Sequence, residues 1–202
     1  MLSSHKLFSH LDSSHSLTTH HIVIVPGWNN SGPTHWQSRW AEHLPNASRV
    51  QQKNWSNPTR ESWVEQLQQH IEQSPGPVLL VAHSLGCVTV AHWASRYFNS
   101  KVKGALLVAP ADVERPNAPV PLQDFAPIPR ERLPFRVHVV ASDNDPYCRS
   151  LRALEFASQW AANYSLLKKA GHINADTPLG LWKEGLGWLS DLARPANQQA
   201  VA

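Results

Sequence analysis

The sequence predicts an α/β protein with a mostly parallel sheet covered by helices on both faces. Three observations lead there. Residues 21–25, 78–82, 104–109 and 137–141 are short apolar runs without alternation, as expected for strands buried on both sides. Stretches with apolar residues every three or four positions fall between them, at the period of a helix. Strand and helix patterns then alternate along the chain, the rhythm of parallel strands joined by crossover helices.

The elements follow in order. Residues 21–25 end at Pro26-Gly27, a strand with a breaker behind it. Thr34-x-x-Gln37 has the form of a capping box, and Trp36, Trp40 and Leu44 then recur every four residues. A weaker strand is expected near 48–52. Asn57-Pro58 opens a helix with Trp63, Leu67 and Ile71 on one face. Residues 78–82 form the next strand and about 85–98 the helix behind it. Further strands are expected at 104–109, 137–141 and 164–167, and helices at 151–161 and 181–192. Residues 110–134 break the rhythm, because seven prolines in 25 positions forbid a long helix. That stretch reads as an irregular excursion over one end of the sheet.

At 202 residues the chain fits one domain, placed at 21–193, with a Ser/His-rich flexible tail at 1–20 and a second tail at 194–202. The net charge of +3 comes from scattered Lys and Arg, which argues against a nucleic-acid partner. No stretch approaches the ~18 apolar residues of a membrane helix, and the first twenty residues lack the apolar core of a secretory signal. Cys87 and Cys148 make no disulfide framework and read as reduced thiols of a cytoplasmic protein. His5, His10, His15 and His20 recur every five residues, a spacing that shares no face of a helix or strand, so no metal site is read there.

One segment proposes chemistry. Ala82-His83-Ser84-Leu85-Gly86 joins the apolar run at 78–82 to a helical stretch, with small residues two positions either side of the serine. Such a turn is too sharp for larger neighbours and lifts the serine hydroxyl above the sheet edge, near a helix N-terminus that favours negative charge. Serine is a weak nucleophile unless a base accepts its proton and a carboxylate orients that base. The required order is Ser, acid, His, on loops after successive later strands. Here the 137–141 strand runs into Ser142-Asp143-Asn144-Asp145-Pro146-Tyr147, and the 164–167 strand into Lys168-Lys169-Ala170-Gly171-His172.

On Pro26-Gly27-Trp28, Ala82-His83-Ser84-Leu85-Gly86, Asp143-Asn144-Asp145-Pro146-Tyr147 and Gly171-His172-Ile173-Asn174, the chain resembles the α/β-hydrolase superfamily. Within it, residues 21–192 are similar to the small serine hydrolases of the YdeN and retinoblastoma-binding-protein-9 type. The resemblance implies a compact α/β-hydrolase fold without a lid domain and a Ser-Asp-His triad. Ala82 stands where the superfamily motif often has glycine, and alanine is small enough for the turn.

His172, just past a glycine after the last strand, is the expected base. His138 lies inside a strand and reads as a satisfied buried histidine. His83 is expected to point away from the base position, and His35, His43, His70 and His92 to lie on helix surfaces. Asp145 matches the Asp-Pro-aromatic pattern of the resembled family and is the expected acid, with Asp143 and Asp112 as alternatives. The oxyanion donors are expected to be the backbone N–H groups of Leu85 and Trp28, with Asn29 second to Trp28. Trp28, Trp55, Phe125 and Tyr147 are candidates to line a pocket. Cys148 reads as a bystander.

The reading is a serine hydrolase that cleaves a small ester, thioester or amide through a Ser84 acyl-enzyme, carboxylesterase-like, with a small acyl substrate as partner and no metal or organic cofactor. One alternative keeps the fold for interaction alone. A Leu-x-Cys-x-Glu binding motif is not met, since Leu85-Gly86-Cys87-Val88-Thr89 lacks the glutamate. A second alternative is amidase or aminopeptidase activity with the same triad.

Overall fold

β-branched and other apolar residues favour a pleated surface packed on both sides, and the apolar runs become strands for that reason. The computed structural model describes residues 17–195. Its strands are β1 (His21–Val25), β2 (Ala47–Arg49), β3 (Val78–His83), β4 (Val102–Val108), β5 (Arg136–Ser142) and β6 (Asn163–Leu167). They form one all-parallel sheet in the order β2-β1-β3-β4-β5-β6. Because β2 and β3 lie on opposite sides of β1, the chain reverses its direction of winding there. The crevice beyond the C-terminal ends of β1 and β3 is the switch point at which open α/β sheets bind ligands.

The main helices are α1 (Trp36–His43), α2 (Arg60–Gln73), α3 (Leu85–Arg96), α4 (Ser150–Gln159) and α5 (Lys183–Ala193). Alternation along the strands separates two cores. Val23, Val25, Leu80 and Ala82 face α2, α3 and α4, among Trp63, Leu67, Trp93, Phe156 and Trp160. Ile22, Ile24, Leu79 and Val81 face α1 and α5, among Trp36, Trp40, Leu189 and Leu192. The fold is thus an α/β-hydrolase core with helices on both faces, as the sequence predicts.

The tryptophans do more than fill these cores. A buried indole is favoured when its N–H also finds an acceptor. The indoles of Trp36, Trp40, Trp63 and Trp160 donate to the carbonyls of Ile173, Leu181, Asn54 and Pro129, at 2.9–3.1 Å. Each bond ties a connecting segment to the core.

Residues 110–134 hold a 3-10 helix, Val120–Phe125, and no separate lid. His92 Nε2 donates to the carbonyl of Phe125 at 2.7 Å, and Asp124 Oδ2 accepts from the Arg60 N–H at 2.7 Å, capping α2 from a distant part of the chain.

Local differences from the expectations have physical causes. The cap of α1 is His35, whose Nδ1 accepts the Gln37 N–H, and the Gln37 side chain is buried, bonding Ser31 Oγ and the carbonyls of Val25 and Val81. Thr34 therefore opens no capping box. His35 and His92 are buried, not on the surface, because the β1 loop and the excursion fold over their helices. Phe125 is fully buried between Trp63 and His92. The strand expected at 48–52 lies at Ala47–Arg49. His5, His10 and His15 lie outside the described residues, as do most of the two expected tails. Within the described part, Asn46 Nδ2 bonds the carbonyls of Leu17 and His20, and Arg136 bonds that of Arg194. No helix of the described residues is long and apolar enough to cross a membrane.

Candidate active site

Ser84 sits between β3 and α3 with φ 55° and ψ −120°. A non-glycine residue is rarely held there, and such strain persists only where the surroundings over-determine it. The surroundings are glycines. A Cβ on Gly27 would lie 2.8 Å from Ser84 Cβ, and one on Gly86 would lie 2.8 Å from the Pro26 carbonyl oxygen and closer still to that of Val25. The β1 loop and the serine turn touch backbone to backbone because neither glycine has a side chain.

His172 Nε2 lies 2.8 Å from Ser84 Oγ, and its Nδ1 lies 2.8 and 3.0 Å from the two carboxylate oxygens of Asp145. A carboxylate accepts only, so Nδ1 carries the proton and Nε2 faces the serine hydroxyl as acceptor. The Asp145 side chain is 2% exposed, and its Oδ1 also accepts the Tyr147 N–H at 2.8 Å. Asp143 is exposed and bonds the Lys169 N–H, so it faces a backbone amide and not the imidazole. Asp112 turns to Arg152 and to the Glu114 N–H. Of the three candidate acids, only Asp145 reaches His172.

The segment bearing His172 is held residue by residue. The N–H groups of Lys169, Ala170 and Gly171 donate to Asp143 Oδ1, Ser142 Oγ and Asn144 Oδ1 at 2.7–3.1 Å. The carbonyls of His172 and Ile173 accept from His83 Nε2 and Trp36 Nε1, each at 2.9 Å. These bonds fix an unusual backbone, for Lys169, Gly171 and Ile173 all have positive φ. In β-branched Ile173 that conformation is strained.

His83, expected to point away from the base position, instead packs against the base and lines the same cavity. Its ring lies 4.9 Å from that of His172, and burial holds its pKa well below the usual histidine range. Sequence reasoning missed this link, since nothing local marks a bond across 89 positions. His35 lies 4.7 Å from the His83 ring, and burial, then the charges of Arg49 and His172, lower its pKa to about 4. The row His35-His83-His172 thus begins with two neutral rings.

Two amides are the sequence's candidates for receiving an oxyanion at Ser84, those of Leu85 and Trp28. The β1–β3 register ends at Val25 and Ala82, and a Cβ on Gly27 would lie 2.8 Å from Ser84 Cβ and 3.4 Å from the Leu85 nitrogen, so the segment leading into Trp28 passes beside the start of α3. Leu85 is the first residue of α3, where an N–H has no partner within the helix. The Asn29 N–H is engaged with the Trp55 carbonyl at 3.1 Å, which removes it as an alternative to Trp28.

A cavity of about 320 Å³ opens over Ser84 and His172, walled by Trp28, His35, Arg115, Leu122, Tyr147 and Asn174 among others. Trp28 and Tyr147 line it; Trp55 and Phe125 do not. Cys148 is buried outside it, and burial, then the charges of Asp112 and Asp145, push its thiol far up, so it stays protonated. Among the described residues no cluster of His, Cys, Asp and Glu is grouped to hold a metal ion.

Solved structures share this fold. A YdeN-like hydrolase from Pectobacterium atrosepticum aligns over 92% of this chain and 98% of its own, at 28% identity and a TM-score of 0.79. The ydeN gene product of Bacillus subtilis aligns over 86% and 98%, at 19% identity and a TM-score of 0.69. The B. subtilis carboxylesterase CesB shares the fold over 90% and 95%, at 13% identity and a TM-score of 0.58. No curated protein matches at a significant level. The profile of the serine hydrolase family matches residues 22–191, nearly the whole of the described fold. The chain belongs to the serine hydrolase family.

Proposed function

We propose that the protein is a carboxylesterase-type enzyme that cleaves small esters through an acyl intermediate on Ser84. The observation that carries this reading is the continuous hydrogen-bonded row from Ser84 Oγ through His172 to Asp145, with both links at 2.8 Å. Ser84 Oγ attacks the ester carbonyl while His172 Nε2 takes its proton, and Asp145 holds the imidazole in the needed tautomer and balances the imidazolium. The Leu85 and Trp28 N–H groups receive the developing oxyanion. His172 then returns the proton to the departing alcohol. A water, activated by the same imidazole, releases the acid and restores Ser84.

The small cavity supports short acyl or alcohol groups, and the carboxylesterase among the structural relatives supports ester over amide. A purely interacting protein has no use for an aligned row behind a strained serine. The test is labelling with a fluorophosphonate, which needs an activated serine, in the wild type, Ser84→Ala and His172→Ala. Wild-type labelling lost in both variants is expected, with kcat on a p-nitrophenyl ester falling about 10⁶-fold. Undiminished labelling of Ser84→Ala sinks the reading.

A further inference from the structure

The excursion at 110–134 and the first turn of α4 bring Arg115, Arg130 and Arg152 together with Asp112 and Glu114, and their pairing is uneven. Glu114 Oε2 takes Arg130 Nη2 at 2.7 Å and also Arg152 Nη2, while Asp112 Oδ2 lies 3.7 Å from Arg152 Nε. Both carboxylates are thereby committed. Arg115 has no carboxylate partner among the described residues. Its Nη1 donates to the Asp112 carbonyl at 2.9 Å, and its guanidinium lies 5.4 Å from the centre of the Tyr147 ring. That ring stands edge-on to His172, 4.6 Å between centres.

Arg115 is therefore held at the cavity wall by a carbonyl and an aromatic face, with no other side-chain hydrogen bond among the described residues. It is also the only Lys, Arg, Asp or Glu among the residues lining the 320 Å³ cavity. The other ionisable side chains there are Tyr147 and three histidines, of which His35 and His83 are kept neutral by burial. Asp145, behind His172, does not line the cavity. The space over Ser84 thus carries one unneutralised positive charge, pre-positioned at one side-chain width from the base.

From this we infer that the substrate is a carboxylate-bearing ester whose free carboxylate pairs with Arg115 while Ser84 attacks its ester carbonyl. This rests on the hydrolase reading above. A guanidinium offers a planar fork that fits a carboxylate, and a single positive charge matches a monoanion better than a phosphate dianion. The carboxylate can belong to the acyl part or to the alcohol part, and the same contact serves both.

The experiment compares kcat/KM on three esters: p-nitrophenyl butyrate, the p-nitrophenyl monoester of glutaric acid, and 4-carboxyphenyl butyrate. The second carries the anion on the acyl side and the third on the leaving side. The wild type is expected to favour one anionic ester over the neutral one by about tenfold to hundredfold, the worth of a hydrogen bond to a charged group. The preference should shrink as salt rises. In Arg115→Gln the anionic-to-neutral ratio should collapse towards one, mainly through KM, and Arg115→Lys should restore part of it. A wild-type ratio of one or less on both anionic esters overturns the inference, whether or not the variants fold. Turnover of the butyrate with that result leaves the hydrolase reading standing. Absence of both turnover and fluorophosphonate labelling takes down the two together.

Discussion

His83 Nε2 donates to the carbonyl oxygen of His172 at 2.9 Å, so the residue preceding the serine holds the backbone of the residue that serves it. With its pKa held well below the usual histidine range by burial, His83 stays neutral and keeps that proton. His83→Ala should leave the His172 carbonyl unpaired and the imidazole less well placed. A fall of about tenfold to hundredfold in kcat is expected, with KM for the butyrate ester little changed. Gln, whose amide also donates, should recover part of it. Equal losses in His83→Ala and His83→Gln, carried by KM, contradict a positioning role.

The acids separate by what they touch. Asp145→Asn removes the carboxylate at His172 and favours the wrong tautomer, so kcat should drop by about 10⁴. In Asp143→Asn the amide oxygen can still accept the Lys169 N–H, and a loss under about tenfold is expected. Parallel assays on one ester decide. A larger loss for Asp143→Asn overturns the assignment of Asp145.

Two glycines should respond in opposite directions. Gly86→Ala drives a methyl into the Val25 and Pro26 carbonyls, which are sheet and turn backbone that cannot yield, and should cost about 1–3 kcal/mol or more. Gly187 lies exposed within α5 with open space around the added methyl, so Gly187→Ala should stabilise by about 0.5–1 kcal/mol. Urea melts at neutral pH measure both. A neutral Gly86→Ala would show that the turn has room to spare.

Acid should destabilise the fold through its buried histidines. Burial lowers the pKa of His35, His83, His92 and His138. Below 6.5 the unfolded chain takes up protons that these folded rings refuse, so stability falls as pH drops from 6.5 towards 4. His35 alone, at about 4 when folded, accounts for about 3 kcal/mol over that window. His35→Asn keeps a capping acceptor for the Gln37 N–H and removes the titration. Its unfolding midpoint should change less between pH 7 and 5 than that of the wild type. Parallel curves for the two proteins would rule out His35 as a contributor.

The sheet, the helices behind it and the positions of Ser84, Asp145 and His172 are legible in the sequence because each is signalled locally. Strands buried on both faces need apolar runs, a sharp turn needs small neighbours, and the acid and histidine sit directly after strands. The support around them is not legible. Trp36 and His83 bond the carbonyls of Ile173 and His172 from elements 137 and 89 positions away, and no local pattern announces such a pair. Gln37 looked like part of a helix cap because its spacing fits one, but burial turned it inward to the carbonyls of β1 and β3. Arg115 looked like one of several scattered charges until the pairing of Asp112 and Glu114 with other arginines left it alone at the cavity wall.

The parallel pairing of β1 with β3 has a consequence for how this site can vary. Ser84 follows directly on β3, and a Cβ on Gly27, two residues past the end of β1, would lie 2.8 Å from Ser84 Cβ. The approach of the β1 loop to the nucleophile is thus set by two directly paired strands and a missing side chain. The wall of the cavity comes from the segments after β1, β4, β5 and β6. The excursion after β4 can therefore be lengthened, shortened or recharged while the pairing of β1 with β3, which seats the serine, stays as it is.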